Sequence, residues 1–256
     1  MGYWTNKVVM ITGASSGIGK ALALEIALRG AHLALLARRE SLLNELVNEA
    51  GTRNVKAIAV AADVRDARAV RAAADQFRTK LGPIDILIAN AGVGTADHAL
   101  KLAPEHAAEV MGINVLGSVN SVAAVAPEMV ARGQGRLVAI SSLAAYRGLP
   151  KSAAYCASKA AMTAYFESVR IDLRNTGVGV TIIYPGFIRT GITQGRTAKM
   201  PYLMDLEPAV KKIVSAIEKE KNTYAFPWQL ATIVRSGLLM PVAMYDWIAG
   251  RNSFRE

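Results

Sequence analysis

Thr12-Gly13-Ala14-Ser15-Ser16-Gly17-Ile18-Gly19 follows an apolar run at residues 7–11 and opens into a segment of helical spacing, 18–29. Glycines at such a junction permit a tight turn, let backbone N–H groups approach a phosphate, and let a helix pack closely on a strand. The spacing is G-x-x-x-G-x-G rather than the commoner G-x-G-x-x-G. Glycine turns are frequent in α/β proteins, and the spacing alone says little. Its place, between a first strand and a first helix, points to the diphosphate of a nucleotide.

The same strand-then-helix unit recurs along the chain. Runs rich in Val, Ile and Leu stand at 7–11, 31–37, 55–60, 84–89, 135–141 and 178–183, and none alternates with polar residues. That is the pattern of strands covered on both faces of a parallel sheet. Segments of helical spacing at 18–29, 40–50, 66–80, 104–132 and 152–175 lie between them, with breakers at Gly30, Gly51, Gly82-Pro83, Gly133 and Gly177. After a further helix at 207–220 comes a short run, Tyr224-Ala225-Phe226. The expected fold is α/β: a Rossmann-type, doubly wound parallel sheet of about seven strands with helices on both faces and a C-terminal helical extension. One domain spans 1–256. Within it, 187–206 is expected to form a substrate lid and 227–256 the extension, with Leu230, Ile233, Val234, Gly237, Leu238 and Pro241 on one face.

Composition narrows the function. With 256 residues, 52% hydrophobic and 20% charged, the chain has ample material for a core, which excludes disorder and a disulfide-stapled miniprotein. A lone Cys156 and three histidines without ligand spacing (His32, His98, His106) predict no metal site. The net charge of +10 attracts anions in general, but the basic residues are scattered and aromatics make up only 6%, so no nucleic-acid partner is expected. Residues 1–7 are too short and polar for a secretory leader, and Asn6 spoils a myristoylation signal after Gly2. The uncharged stretch 110–127 carries Asn114, Ser118, Asn120 and Ser121, which suits a buried helix better than a membrane span. A cytoplasmic protein is expected, with weak membrane-surface contact through 227–250 as an additional possibility.

Ligands of doubly wound sheets bind beyond the carboxyl ends of the strands, so chemistry is sought after each apolar run. The second run ends in Ala37-Arg38-Arg39. An acidic residue there would hold the ribose 2′-hydroxyl of NAD, whereas guanidinium groups pair with a 2′-phosphate, which favours NADP(H). Tyr155 and Lys159, four apart near the start of the helix 152–175, share one helix face. A phenol with an ordinary pKa near ~10 is a poor acid–base group at neutral pH, and a nearby ammonium favours its ionised form. Tyr3 and Lys7 show the same spacing without such a setting. Ser142, at the end of the run 135–141, is suited to polarising a carbonyl oxygen, and Asn114 is a polar residue in an otherwise apolar helix.

Together these residues resemble the short-chain dehydrogenase/reductase family. The resemblance rests on Thr12-Gly13-x-x-x-Gly17-x-Gly19, Asp63-Val64, Asn90-Ala91-Gly92, Asn114, Ser142, Tyr155-x-x-x-Lys159 and Pro185-Gly186 followed by Thr190, in family order over roughly residues 6–190. It implies that Gly13, Ser15, Ser16, Gly17, Ile18 and Gly19 form the pyrophosphate turn and that Arg38 and Arg39 take the 2′-phosphate. Asp63 and Val64 would face the adenine, and Asn90, Ala91 and Gly92 would border its ribose. Pro185, Gly186, Ile188 and Thr190 would flank the nicotinamide. Tyr155 would give the proton in reduction, Lys159 would hold the nicotinamide ribose, Ser142 would position the carbonyl, and Asn114 would hold a water in a relay from Lys159. Two positions depart from the family pattern. Ala89 replaces an asparagine before Asn90, and Ser16 replaces a basic residue often found in NADP-binding members.

By the same analogy Val93-Gly94-Thr95, 143–149, Phe187 and 190–206 line the substrate pocket, and most are apolar. The expected activity is NADP(H)-dependent interconversion of a ketone or aldehyde and an alcohol, on a lipid-, steroid- or aromatic-like substrate. A 3-ketosphinganine-type or other lipid-intermediate reductase is a narrower version, and a non-catalytic NADP(H)-binding sensor or scaffold is the alternative. A homodimer or homotetramer is implied, with 104–132 and 152–175 as interface elements.

Overall fold

The computed structural model describes residues 2–191, 193 and 200–251. Seven strands form one sheet: β1 (Val8–Thr12), β2 (His32–Ala37), β3 (Ala57–Ala61), β4 (Ile86–Ala89), β5 (Gly135–Ile140), β6 (Val178–Pro185) and β7 (Thr223–Phe226). They run parallel in the order β3-β2-β1-β4-β5-β6-β7. The chain winds outward through β2 and β3, then returns to lay β4 against β1. That reversal opens a crevice between the carboxyl ends of β1 and β4.

Each strand alternates its side chains between two apolar layers. Val9 and Ile11 of β1 face a layer closed by Leu22 and Ile26 of α1 (Gly17–Ala27), Leu43 and Leu46 of α2 (Glu40–Gly51) and Ile213 of α7 (Leu206–Glu218). Val8 and Met10 face the opposite layer, with Phe77 of α3 (Ala67–Leu81), Met129 of α5 (Gly117–Ala131) and Phe166 of α6 (Ala153–Asp172). Both faces being dry explains the unalternating strand pattern. The sheet edges differ: no residue of β3 is buried, and only Phe226 of β7 is.

The helix expected over 104–132 is present as one helical stretch with a wider turn inside it, and one other expectation needs correction. The stretch is α4 (Pro104–Met111), a wider π-helical turn at Gly112–Leu116, and then α5. Asn114 sits in that turn, where its side chain is drawn to the loop after β4. This helical stretch, Pro104–Ala131, is long and apolar enough to cross a membrane, but 56% of its apolar window is buried inside the fold. The correction concerns the extension, which forms α8 (Trp228–Ser236), a 3-10 turn (Gly237–Leu239) and α9 (Val242–Arg251). The expected apolar face is not buried as one: Leu230 and Gly237 are buried, while Ile233 within α8 and Leu238 and Pro241 beyond its end point outward. Ile192 of the expected lid, with 194–199, and residues 252–256 of the extension lie outside the described residues.

Candidate active site

At the crevice the ends of β1 and β4 are stitched together. Thr12 Oγ1 accepts the backbone N–H groups of Asn90 and Ala91, each at 3.1 Å. Asn90 Nδ2 donates to the carbonyls of Thr12 (3.0 Å) and Gly13 (3.3 Å). Gly13 has φ +66°, and a Cβ there would lie 2.7 Å from the Cα of Ala91; one at Gly19 would lie 2.4 Å from the Gly13 carbonyl oxygen. Only bare backbone fits this turn. It leads into α1, whose first N–H groups and dipole favour an anion, and Thr190 stands across from Gly17, its Cβ 3.8 Å from where a Gly17 Cβ would be.

Of the two arginines after β2, Arg39 reaches this turn. Its guanidinium donates to Ser15 Oγ at 2.8 Å and Ser16 Oγ at 2.6 Å. Ile18 packs on the apolar layer beneath. Arg38 is exposed and leans electrostatically toward Asp63. The Asp63 carboxyl is held below its usual range chiefly by hydrogen bonds from Arg65, whose NH2 lies 2.6 Å away, with Arg38 a smaller cause. Val64 is buried, and its carbonyl accepts a 2.9 Å bond from Asn120 of α5. Asn120 was not singled out by sequence for this role, although its polarity in an apolar stretch was the available signal.

The catalytic quartet of the sequence gathers around α6. Lys159 is 4% exposed, and its Nζ donates to the Ile140 carbonyl at 2.8 Å, at the end of β5. Burial pulls its pKa down to about 8. Nζ lies 5.9 Å from the Tyr155 ring centre, and a Cβ on Gly92 would sit 3.5 Å from it. Ser142 follows β5 and accepts the Ala144 N–H at 3.1 Å, which leaves its own proton to donate elsewhere.

Asn114 is buried in the π turn. Its Oδ1 accepts the Val93 N–H at 2.8 Å, and its Nδ2 donates to the Val93 carbonyl and to Ser158 Oγ, each at 2.9 Å. The amide thus clamps the loop after β4 to α6 as a staple. Ser158 completes the staple by donating to the Tyr155 carbonyl at 2.8 Å. Beneath it, Ser141 Oγ and Thr163 Oγ1 are 2.9 Å apart, and Ser141 also donates to the Lys159 carbonyl at 3.3 Å. Sequence reading missed Ser141, Ser158 and Thr163, which carry no motif of their own. Cys156, next to Tyr155, is buried, and burial pushes its thiol up.

Beyond β6, the Gly186 N–H donates to the Phe226 carbonyl at 2.7 Å, fixing Pro185-Gly186 against β7. Ile188 is buried and bridges Met204, and Arg189 pairs with Asp205 at 2.8 Å. These contacts pin the two ends of the 187–206 segment together. On the substrate side, Val93, Tyr146 and Phe187 pack against the core, with the Tyr146 and Tyr184 rings 5.0 Å apart. Arg147 donates to the Gly237 carbonyl and lies 3.8 Å from the centre of the Tyr245 ring, so the C-terminal extension docks on the loop after Ser142.

Comparison with known proteins agrees with this geometry. The family described as short chain dehydrogenase matches residues 7–201. The chain is 40% identical over 245 residues to an uncharacterized oxidoreductase of Myxococcus xanthus (strain DK1622), covering 96% of this chain and 97% of that one. It is 39% identical over 194 residues to 11-beta-hydroxysteroid dehydrogenase A of Sesamum indicum, covering 74% of this chain and 55% of that protein. Among solved structures, a short chain dehydrogenase/reductase of Burkholderia phymatum in complex with NAD superposes with a TM-score of 0.84 at 26% identity, covering 98% of both chains.

Proposed function

This chain belongs to the short chain dehydrogenase family of oxidoreductases, and from that premise we propose that it interconverts a ketone or aldehyde and the corresponding alcohol with NADP(H). The observation that carries the reading is the buried Lys159 ammonium, one helical turn from Tyr155 and bonded to the Ile140 carbonyl two residues before Ser142, at the carboxyl edge of the sheet. Burying an ammonium is costly, and a core that only had to fold would place an apolar side chain there.

The residues present fit a nicotinamide dinucleotide. Bare backbone at Gly13 and Gly19 leaves room for a diphosphate over α1, and Thr190 borders the same opening. The cofactor, when bound, supplies or accepts the hydride. Ser142 gives its hydroxyl proton as a hydrogen bond to the substrate oxygen, which stabilises the negative charge that develops there. Tyr155 transfers its phenolic proton to that oxygen in reduction and takes it back in oxidation. Lys159 holds positive charge near the phenol, and the Ile140 carbonyl fixes its position. Asn114 and Ser158 keep α6 in register with the loop at Gly92.

NADP(H) rather than NAD is favoured by Arg39, whose guanidinium rests on Ser15 and Ser16 and is available to a 2′-phosphate; the two positions directly after β2 are Arg38 and Arg39 rather than a carboxylate. The apolar character of Val93, Tyr146 and Phe187 favours a lipid-, steroid- or aromatic-like substrate, and the hydroxysteroid relative is in line with that class. A cytoplasmic homodimer or homotetramer, associating through α4, α5 and α6, completes the proposal. The test is NADPH oxidation by the purified protein against steroid, 3-oxoacyl thioester, keto-amine, aromatic diketone and sugar substrates, with NADH in parallel. Turnover that disappears in Tyr155→Phe supports the reading. Tight NADPH binding without turnover on any class would point to a sensor, and faster turnover with NADH would overturn the cofactor assignment.

A further inference from the structure

The loop between Ser142 and Tyr155 has to keep two reacting groups in one geometry, and its own structure is poorly suited to that task. After the 3-10 turn Leu143–Ala145, residues 146–152 form no strand or helix. A Cβ on Gly148 would meet nothing within 4 Å, so packing does not brace the chain on that side. Lys151 has φ +56°, a left-handed conformation that a side chain adopts at a cost and keeps only where its surroundings impose it. Ser152, the N-cap of α6, makes no side-chain capping bond. The catalytic helix is therefore entered through a strained residue and an uncapped turn, three positions before Tyr155.

Two outside elements hold this loop. The loop after β4 donates the Asp97 N–H to the Lys151 carbonyl at 3.0 Å. The C-terminal extension holds the other end through polar groups. Arg235 of α8 donates to the Tyr146 hydroxyl at 3.0 Å. Arg147 donates to the carbonyls of Gly237 and, at 3.2 Å, Met240, at the C-terminal end of the helical run where a cation is favoured. The Tyr245 hydroxyl of α9 donates to the Gly148 carbonyl at 2.5 Å. Its ring lies 3.8 Å from the Arg147 guanidinium and 3.9 Å from where a Cβ on Gly237 would be. Three consecutive loop residues, 146–148, are thus each bonded to the extension.

We propose that Tyr245 is a positioning residue for the reaction: through the Gly148 carbonyl, its hydroxyl fixes the loop that spaces Ser142 from Tyr155. The inference rests on the reaction assignment above and adds to it a group that acts through backbone. Tyr245 lies beyond residue 201, where the matched family region ends, so the motif residues give no account of it. A misplacement of about 1 Å between reacting groups can cost about a hundredfold in rate. One hydrogen bond from a half-buried phenol contributes little to global stability by comparison. Rate and stability should therefore respond differently to its loss.

Tyr245→Phe removes the hydroxyl and keeps the ring beside Arg147; Tyr245→Ala removes both. With NADPH and the ketone that the wild type reduces fastest, kcat and kcat/KM should fall together by about tenfold in Tyr245→Phe, and further in Tyr245→Ala. The Kd for NADPH should stay within about twofold, and the melting temperature of Tyr245→Phe should move by no more than about 4 °C. Backbone hydrogen exchange, measured without substrate, should be about tenfold faster over 143–152 in Tyr245→Phe and unchanged over the turn 12–19. A loss of NADPH affinity or of thermal stability that accounts for the lost rate would overturn the proposal, because the hydroxyl would then serve the fold alone. So would full activity alongside faster exchange, or exchange over 143–152 that does not change. If the wild type reduces no ketone, the reaction assignment falls, and the exchange result alone decides whether Tyr245 holds the loop.

Discussion

Lys159 gives the sharpest residue-scale expectations. Its pKa near 8 lies below the ordinary lysine value of about 10.4 because the ammonium has left water. The charged form is thus penalised in the folded protein. That cost is present in full below about pH 8 and is relieved as pH rises from there toward the unfolded value. Lys159→Met should therefore abolish turnover without lowering the melting temperature at pH 7, and the variant's advantage should shrink between pH 8 and 10, as paired thermal melts would show. Loss of the same proton removes the positive charge beside Tyr155, so kcat/KM for reduction should fall as pH rises past about 8. Arg39→Ala should raise the KM for NADPH by about tenfold to a hundredfold and leave that for NADH nearly unchanged, since only NADPH carries a 2′-phosphate for the guanidinium. A matching Arg38→Ala should do less, because Arg38 makes no contact with Ser15 or Ser16. The motif residues were legible because each is a rare type at a fixed place. Which arginine meets Ser15 and Ser16 was not, because two adjacent guanidinium groups after one strand look the same until the backbone aims them.

Among the elements, the strands and most helices could be read from apolar rhythm, to within two residues at each end in the case of β1 to β5. The π turn could not. Inserting a wider turn leaves the apolar spacing on either side intact, and its marks are a buried asparagine between Gly112 and Gly117. At Gly117 a Cβ would come within 2.5 Å of Val64 Cγ2, so this glycine lets the helix lie against the loop after β3. Gly117→Ala should cost about 1–3 kcal/mol by overpacking, read as a lower denaturant midpoint, and should weaken cofactor binding by displacing Val64. The C-terminal face was misread in part for a related reason: a helical wheel assumes one continuous helix, and α8 ends before the pattern does.

At the scale of the whole molecule, the strand order follows from alternating units and right-handed crossovers, and it places all the candidate chemistry on one edge of the sheet. The contacts at the two ends of the 187–206 segment and the docking of the extension were not legible, because they depend on pairings such as Ile188 with Met204 and Arg147 with Gly237 that no local pattern announces. Since the site joins β1, β4, β5 and α6, a ligand there holds the two halves of the sheet together. NADPH at about a hundred times its Kd should raise unfolding stability by about 2.7 kcal/mol, visible as a higher melting temperature. The lone cysteine turns the same linkage into a clock. Cys156 is the neighbour of Tyr155 and is shut away from solvent with its thiol protonated, so a thiol reagent can reach it only while α6 has come loose. Its labelling rate then counts the openings of the catalytic helix one molecule at a time, and a bound dinucleotide should slow that count with no engineered probe in the chain.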